Sequence, residues 1–298
     1  MKVFKLVTGL ILVLTGISSC TTVIDATLDE GPSQLSVDGL ITDQPGPQTI
    51  RLTQTAAYFN NSRPPIVSGA TVVVADDRGN RYNFTDPDND GYYIWSGSAT
   101  DTLGHVGRTY SLSISFGSEN YGASGRMNRV PTIDSLVFRK DNINPISNLE
   151  GYRAEFYAND LPGGMDYYRI RYFRNDTLQN KTRDIRTVQD AAFQGSADTD
   201  GLLFIRPLRQ SVNPDSLYKL NDRVRVEIQS LTPDAFTFWQ LLRTELGNGG
   251  LFATPPTNVP TNIINANPNG RKATGFFQVS AVRSRQARVI AQNIRPSE

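Results

Sequence analysis

A mainly β protein is predicted, with an N-terminal β-sandwich followed by a second antiparallel β domain that carries one amphipathic helix. Three observations predict it. Short stretches alternate apolar and polar residues with period two, as in Tyr110-Ser-Leu-Ser-Ile-Ser-Phe116. Turn-forming Gly, Asp, Asn and Pro break these stretches at the short spacing typical of sandwiches, with 24 Gly and 17 Pro spread along the chain. Only one stretch, Pro233 to Leu246, sets its apolar residues at helical spacing.

The composition is that of a folding chain, with 38% hydrophobic and 20% charged residues. A formal net charge of +1 gives no broad electrostatic attraction to nucleic acid or anionic lipid, so no nucleic-acid partner is expected.

Residues 1–19 read as a signal peptide. Lys2 and Lys5 make a basic start, and Leu6 to Leu14 is an apolar run shorter than the about 20 residues a membrane span needs. Small residues lead to Ile17-Ser-Ser-Cys20. A cysteine at that position resembles the bacterial lipobox, in which the thiol is lipidated and becomes the first mature residue. Cys20 is the only cysteine of the chain, so it has no intramolecular disulfide to make. The competing reading is an ordinary signal peptide with a chance cysteine beside its cut site. Two or more acyl chains on Cys20 would hold the protein firmly to a membrane. Residues 20–33 then form a polar tether, acidic at Asp25, Asp29 and Glu30.

The first sandwich is expected over 34–130. Leu35 and Val37 alternate with polar neighbours, Gln44-Pro-Gly-Pro47 turns the chain, and Ile50 and Leu52 resume the alternation. Ala70 to Ala75 reads as a strand covered on both faces. The second domain is expected over 131–298, with strands at Thr132–Arg139, Arg153–Ala158, Tyr167–Arg174, Leu202–Arg206, Arg223–Gln229 and Thr274–Ser280. Its helix is expected over 233–246. Thr232 can cap it, Pro233 suits the first position, Asp234 complements the dipole and Gly247 ends it. Phe236, Trp239, Leu242 and Leu246 then make one stripe, expected to pack on the second sheet. Residues 247–272 show little period and read as one long loop. The basic tail with Arg283, Arg285 and Arg288 reads as a solvated end.

Catalytic chemistry finds little footing. Asp86, Asp88 and Asp90 with Gly91 match the opening of a calcium loop, but the closing acid would fall on Gly97. A tight turn explains the same residues without metal. His105 is the only histidine, which excludes a zinc site built on His and Cys, and no Gly-x-Ser-x-Gly element accompanies it. No spacing selects a carboxylate pair for glycoside hydrolysis. No catalytic, cofactor or metal residue is assigned, and no cofactor is expected. Tyr58-Phe59 with Arg63, and Leu251-Phe252 in the late loop, are candidate contact aromatics or plugs of the sandwich end.

The landmarks together resemble a family of Bacteroidota outer-membrane lipoproteins, domain of unknown function number forty-two forty-nine. They are Val23-Ile-Asp25, Val37-Asp-Gly-Leu-Ile-Thr-Asp-Gln-Pro-Gly-Pro47, Pro65-Ile-Val-Ser-Gly-Ala-Thr-Val72 and Gly91-Tyr-Tyr93. Ile133-Asp-Ser135, the Phe-Trp helix, Pro260-Thr-Asn-Ile263 and Gly275-Phe-Phe277 complete the set. The resemblance implies genes beside TonB-dependent receptors and an accessory, non-catalytic role at the outer membrane. The partner would be the receptor barrel, and the ligand an unknown nutrient. Val67 to Tyr93 is also similar to transthyretin-like and carboxypeptidase-regulatory-like sandwiches, so the first domain is expected to be immunoglobulin-like or transthyretin-like. The acids after Cys20 resemble a Bacteroidota surface-export signal, although they stand later than that pattern prefers. Two alternatives stay open: a structural or adhesive surface lipoprotein, and a surface hydrolase.

Overall fold

Alternation places every second residue of β1 (Leu35–Thr42) and β2 (Gln48–Gln54) inward, burying Leu35, Val37, Ile41, Ile50 and Leu52. In the computed structural model the described residues are 31–56, 62–142, 150–190, 201–249, 253–255 and 257–296. The chain divides into two units, Met1–Pro32 and Ser33–Glu298, and every element below lies in the second. The expected signal peptide, Cys20 and most of the expected tether lie outside the described residues, as do Tyr58, Phe59, Leu251 and Phe252.

The first sandwich has two sheets. One runs β15 (Ala273–Ser280), β1, β2, β5 (Tyr92–Trp95). The other runs β14 (Ile264–Asn265), β7 (Glu119–Arg126), β6 (Thr109–Phe116), β3 (Thr71–Asp76), β4 (Arg81–Phe84). Val72, Val74, Leu112 and Ile114 face the core, whose aliphatic side chains each contribute about 1.5–3 kcal/mol by leaving water. Buried tyrosines keep their hydroxyls satisfied: Tyr110 donates to the Leu103 carbonyl at 3.1 Å and Tyr93 to that of Val67 at 3.0 Å.

The expected division at residue 130 is crossed. β15 lies parallel to β1, with Val37 opposite Gly275 and Gly39 opposite Phe277. β14 likewise joins β7. The buried-strand pattern of Thr274 to Ser280 states that both faces are covered but names no partner, and the best fit lay in the first sandwich. From Ser280 the chain passes through Ala281 straight into β16 (Val282–Arg288) of the third sheet. Ser230 holds that crossing: its Oγ accepts from Ala281 N at 2.9 Å and its carbonyl from Ser280 Oγ at 2.6 Å. Asp43 clasps the far side, accepting from Val282 N at 2.8 Å and Arg283 at 2.6 Å.

The third sheet runs β11 (Thr177–Leu178), β10 (Tyr167–Arg174), β13 (Arg223–Leu231), β16, with β12 (Arg186–Gln189) also on β10. The fourth runs β17 (Ile294–Arg295), β8 (Ser135–Asn142), β9 (Glu150–Tyr157). Between them lie Phe138, Phe156, Tyr168, Ile170, Tyr172, Tyr218 and Val226. The basic tail is therefore not a solvated end. Val282 and Val289 are buried, and the arginines between them decorate an edge strand, where charge discourages pairing with another chain. The strand expected at Leu202–Arg206 is also absent: Leu203 makes a single bridge to Asn159, and Arg206–Arg209 winds one turn, α1, opened by Pro207.

Helix α2 spans Pro233–Gly247, and Thr232 Oγ1 accepts from Ala235 N at 3.2 Å as its cap. Its buried residues are Ala235 and Phe238, with Phe238 against Phe276 at 4.8 Å between ring centroids. Phe236, Trp239 and Leu242 are half-buried on β10, and Leu246 is 58% exposed. The buried face is rotated from the expected stripe because β15, as well as β10 and β13, packs against the helix.

One buried acid sets a pH dependence. Asp160 accepts from the Tyr168 hydroxyl at 2.9 Å inside the second sandwich. Burial first, then the neighbouring Asp190 carboxyl, push Asp160 up to about 7. The folded chain keeps a proton that the unfolded chain has released above pH about 4, so this group's contribution to stability falls as pH rises from about 4 to about 7. Urea midpoints of the wild type and Asp160→Asn should therefore diverge across that window, in favour of the variant at the alkaline end. A difference constant between pH 4 and 8 would remove this account.

Candidate functional site

The strand β10 reads Tyr167-Tyr-Arg-Ile-Arg-Tyr-Phe-Arg174. Tyr168, Ile170 and Tyr172 point into the second core, so Arg169 and Arg171 stand on the opposite face. In the first sandwich the same alternation turns Asp38 of β1 and Arg51 of β2 outward, as directly opposed neighbours. Tyr92 of β5 is outward too, since Tyr93 is the inward residue. These surfaces and Trp239 of α2 enclose a cleft of about 480 Å³.

The cleft is strongly basic for a chain of net charge +1: Arg51, Arg169 and Arg171 face it, with Asp38 as the acid among its lining residues. Arg169 lies over the Trp239 ring at 3.4 Å from the centroid, and Arg51 over Tyr92 at 5.2 Å. Trp239 is itself fixed, its Nε1 donating to Gln278 Oε1 at 2.6 Å, and Gln278 donates on to Ser280 Oγ at 2.7 Å. Behind the cleft, Arg171 reaches Glu227 at 3.8 Å while Arg225 pairs with the same carboxylate. Burial, then the charge of Arg171, push Arg169 down to about 9, which leaves it cationic at neutral pH. Burial likewise lowers Arg171.

A larger groove of about 760 Å³ runs between Gly122–Ser124 of β7, Pro260–Asn262 and the first turn of α2. Ser124, Thr237, Thr261 and Asn262 line it, with Asp234 as its only charged residue, so it lacks the cluster of charge that fixes an ionic ligand. The basic cleft has that cluster, together with perturbed ionisation.

The residues singled out from sequence lie elsewhere. Asp86 closes its own turn, accepting from Asp90 N at 3.1 Å and Gly91 N at 3.2 Å, and Asp90 accepts from Tyr92 N at 3.0 Å. No group of three or more His, Cys, Asp or Glu placed to hold a metal occurs among the described residues. His105 is exposed in a turn, its N–H donating to the Tyr110 hydroxyl at 2.8 Å. Asp160 and Asp190 do come together, but neither lines the cleft. Arg63 is exposed. None of the cleft arginines was a candidate from sequence. The available signal was Arg169-Ile-Arg171, which reads as the solvated face of a strand until a second sheet approaches it.

Fold and cleft define a class: a two-sandwich β protein with a basic, aromatic-walled cleft where the sandwiches meet α2. The chain belongs to the family described as a domain of unknown function (DUF4249), whose model matches residues 21–286. Its motifs meet in space. Gly275 and Gly39 sit at the β1–β15 contact, and Asn262 clamps Phe277, accepting from its N–H at 2.9 Å and donating to its carbonyl at 2.8 Å. No curated protein matches the chain. A two fibronectin type III domain segment from chicken tenascin is similar at 14% identity, over 67% of this chain and 91% of that one, with a TM-score of 0.20. The architecture is therefore read from the strand pairing itself.

Proposed function

We propose that this chain is a non-catalytic lipoprotein, held at the outer membrane through lipid on Cys20 and displayed at the cell surface. There it serves as a ligand-capture subunit of a TonB-dependent receptor. The observation that carries this is the sole cysteine placed at the end of a basic, apolar, small-residue leader. The basic, aromatic-walled cleft agrees with a binding role. Among the described residues no helix is long and apolar enough to cross a membrane. In this reading attachment rests on the lipid.

The test is made in cells. The native chain should fractionate with outer membrane and yield an acylated N-terminal peptide by mass spectrometry, while Cys20→Ser should lose the acyl mass and leave the membrane fraction. Purification of the lipidated protein in detergent should recover a barrel receptor. An unmodified Cys20 would end the anchoring, and repeated purification without a barrel would end the receptor partnership.

A further inference from the structure

Several arginines elsewhere in the fold find acids, although Arg186 of β12 also has a buried Nε without a partner. Arg209 and Arg223 have buried Nε atoms without a partner, yet their guanidinium ends pair with Glu155 and Asp176. Arg108 pairs with Asp76 at 2.9 Å and Arg139 with Glu155 at 3.0 Å. The cleft is distinct in gathering three such arginines on one space. Arg51, Arg169 and Arg171 each have a buried, unpartnered Nε, and among the described residues neither Arg51 nor Arg169 has a carboxylate within ion-pair distance. Arg171 reaches Glu227 at 3.8 Å, on the oxygen opposite the one that Arg225 holds, so its pairing is loose and shared. Asp38, exposed on β1, is the one acid facing all three. Half-buried cations without counter-charge are costly, and an anion supplied from outside removes the cost.

The walls say more about the anion. Stacking on Trp239 occupies a face of the Arg169 guanidinium and leaves its edge donors free for an oxyanion, which arginine grips in bidentate fashion. Tyr92, 40% exposed, borders the same space with Leu242 and Phe238. A cleft of about 480 Å³ is of small-molecule size and far exceeds one inorganic anion, given that a water occupies about 30 Å³.

We infer that the cleft binds an organic acid borne on a ring, its carboxylate held by Arg51, Arg169 and Arg171 and its ring enclosed by the Tyr92, Trp239 and Leu242 side chains. The uronic acid units of acidic saccharides and small aromatic acids both have this chemistry. This rests on the reading that the cleft is where the captured ligand sits. It does not rest on the lipid anchor, which membrane release of Cys20→Ser reports separately.

Calorimetric titration of the full-length purified protein tests it with four probes: trigalacturonate, its methyl ester, benzoate and sodium sulfate. Trigalacturonate or benzoate should bind, and whichever is tighter identifies the source. The methyl ester should bind at least about 10-fold more weakly than its parent acid, the scale of one lost charge-assisted pair. Binding should weaken as salt rises. Arg169→Met should weaken binding at least about 10-fold, and Arg169→Lys should fail to restore it fully. Asp38→Asn should act in the opposite sense and tighten binding severalfold, because it removes the one opposing charge. That exposed substitution decides the matter if Arg169→Met does not fold. Equal binding of acid and ester, sulfate as tight as both acids, no binding by any probe, or an unchanged affinity in Asp38→Asn would each overturn the inference.

Discussion

A Gly275→Ala chain is expected to lose most of its folded population. Gly275 has φ of +86°, and a Cβ placed there would stand 2.0 Å from the Val37 carbonyl oxygen and 2.8 Å from its carbonyl carbon and amide nitrogen. Those atoms belong to the β1 backbone, locked to β15 over eight residue pairs, so they have no rotamer by which to move aside. The cost combines a left-handed conformation, about 1–2 kcal/mol, with separation of β15 from β1, and should exceed roughly 4 kcal/mol. That is a large part of the 5–15 kcal/mol typical of folded chains. Gly69→Ala is the control: its φ is +74°, but nothing lies within 4 Å, so only the conformational cost applies. Thermal melts by circular dichroism compare the two. A Gly275→Ala melt within a few degrees of Gly69→Ala would show that the β1–β15 contact can open without consequence.

The second large effect is expected at Glu155. This carboxylate is 2% exposed and joins two arginines, Arg139 Nε at 3.0 Å and Arg209 Nη1 at 3.2 Å. Arg209 also lies over the Tyr157 ring at 4.5 Å, and Arg139 donates to the Pro296 carbonyl at 2.6 Å. One acid thus ties β9 to β8, α1 and the end of β17. Glu155→Ala leaves two half-buried guanidinium groups facing each other, and breaking a buried pair costs about 3–5 kcal/mol. Glu155→Gln keeps the shape and an acceptor, and should lose less. Urea unfolding measures both. A loss below about 1 kcal/mol for Glu155→Ala would mean that water replaces the carboxylate freely and that the network has little weight.

Local elements were legible because their causes are local. Alternation in Tyr110 to Phe116 and Arg223 to Gln229 exposes a period of two, and both are strands. Thr232, Pro233 and Asp234 mark the start of α2 with chemistry confined to one turn. Asp86 to Gly91 forms a turn for the same reason, with Gly91 at φ +80°. Errors arose where a neighbour decided. Val282 to Arg288 has a basic, weakly apolar sequence, yet it becomes a strand because β13 offers it an edge. Leu202 to Ile205 has apolar residues enough for a strand, but only Leu203 finds a bridge. Leu246 matches the helical period and remains exposed.

The candidate cleft was invisible for the same cause. Arg169 and Arg171 on one strand, Arg51 beside Asp38 on another, and Trp239 on a helix each look like an ordinary solvated or packing residue. The chain by itself determined the mainly β class, the strand faces and the capped helix, because these depend on residues a few positions apart. Only the tertiary structure decided that β15 closes the first sandwich and that three arginines share one cleft. Those outcomes turn on contacts such as Asp43 with Val282, 239 residues apart in sequence. A period names the face that must be covered, whereas shape and charge in three dimensions choose what covers it.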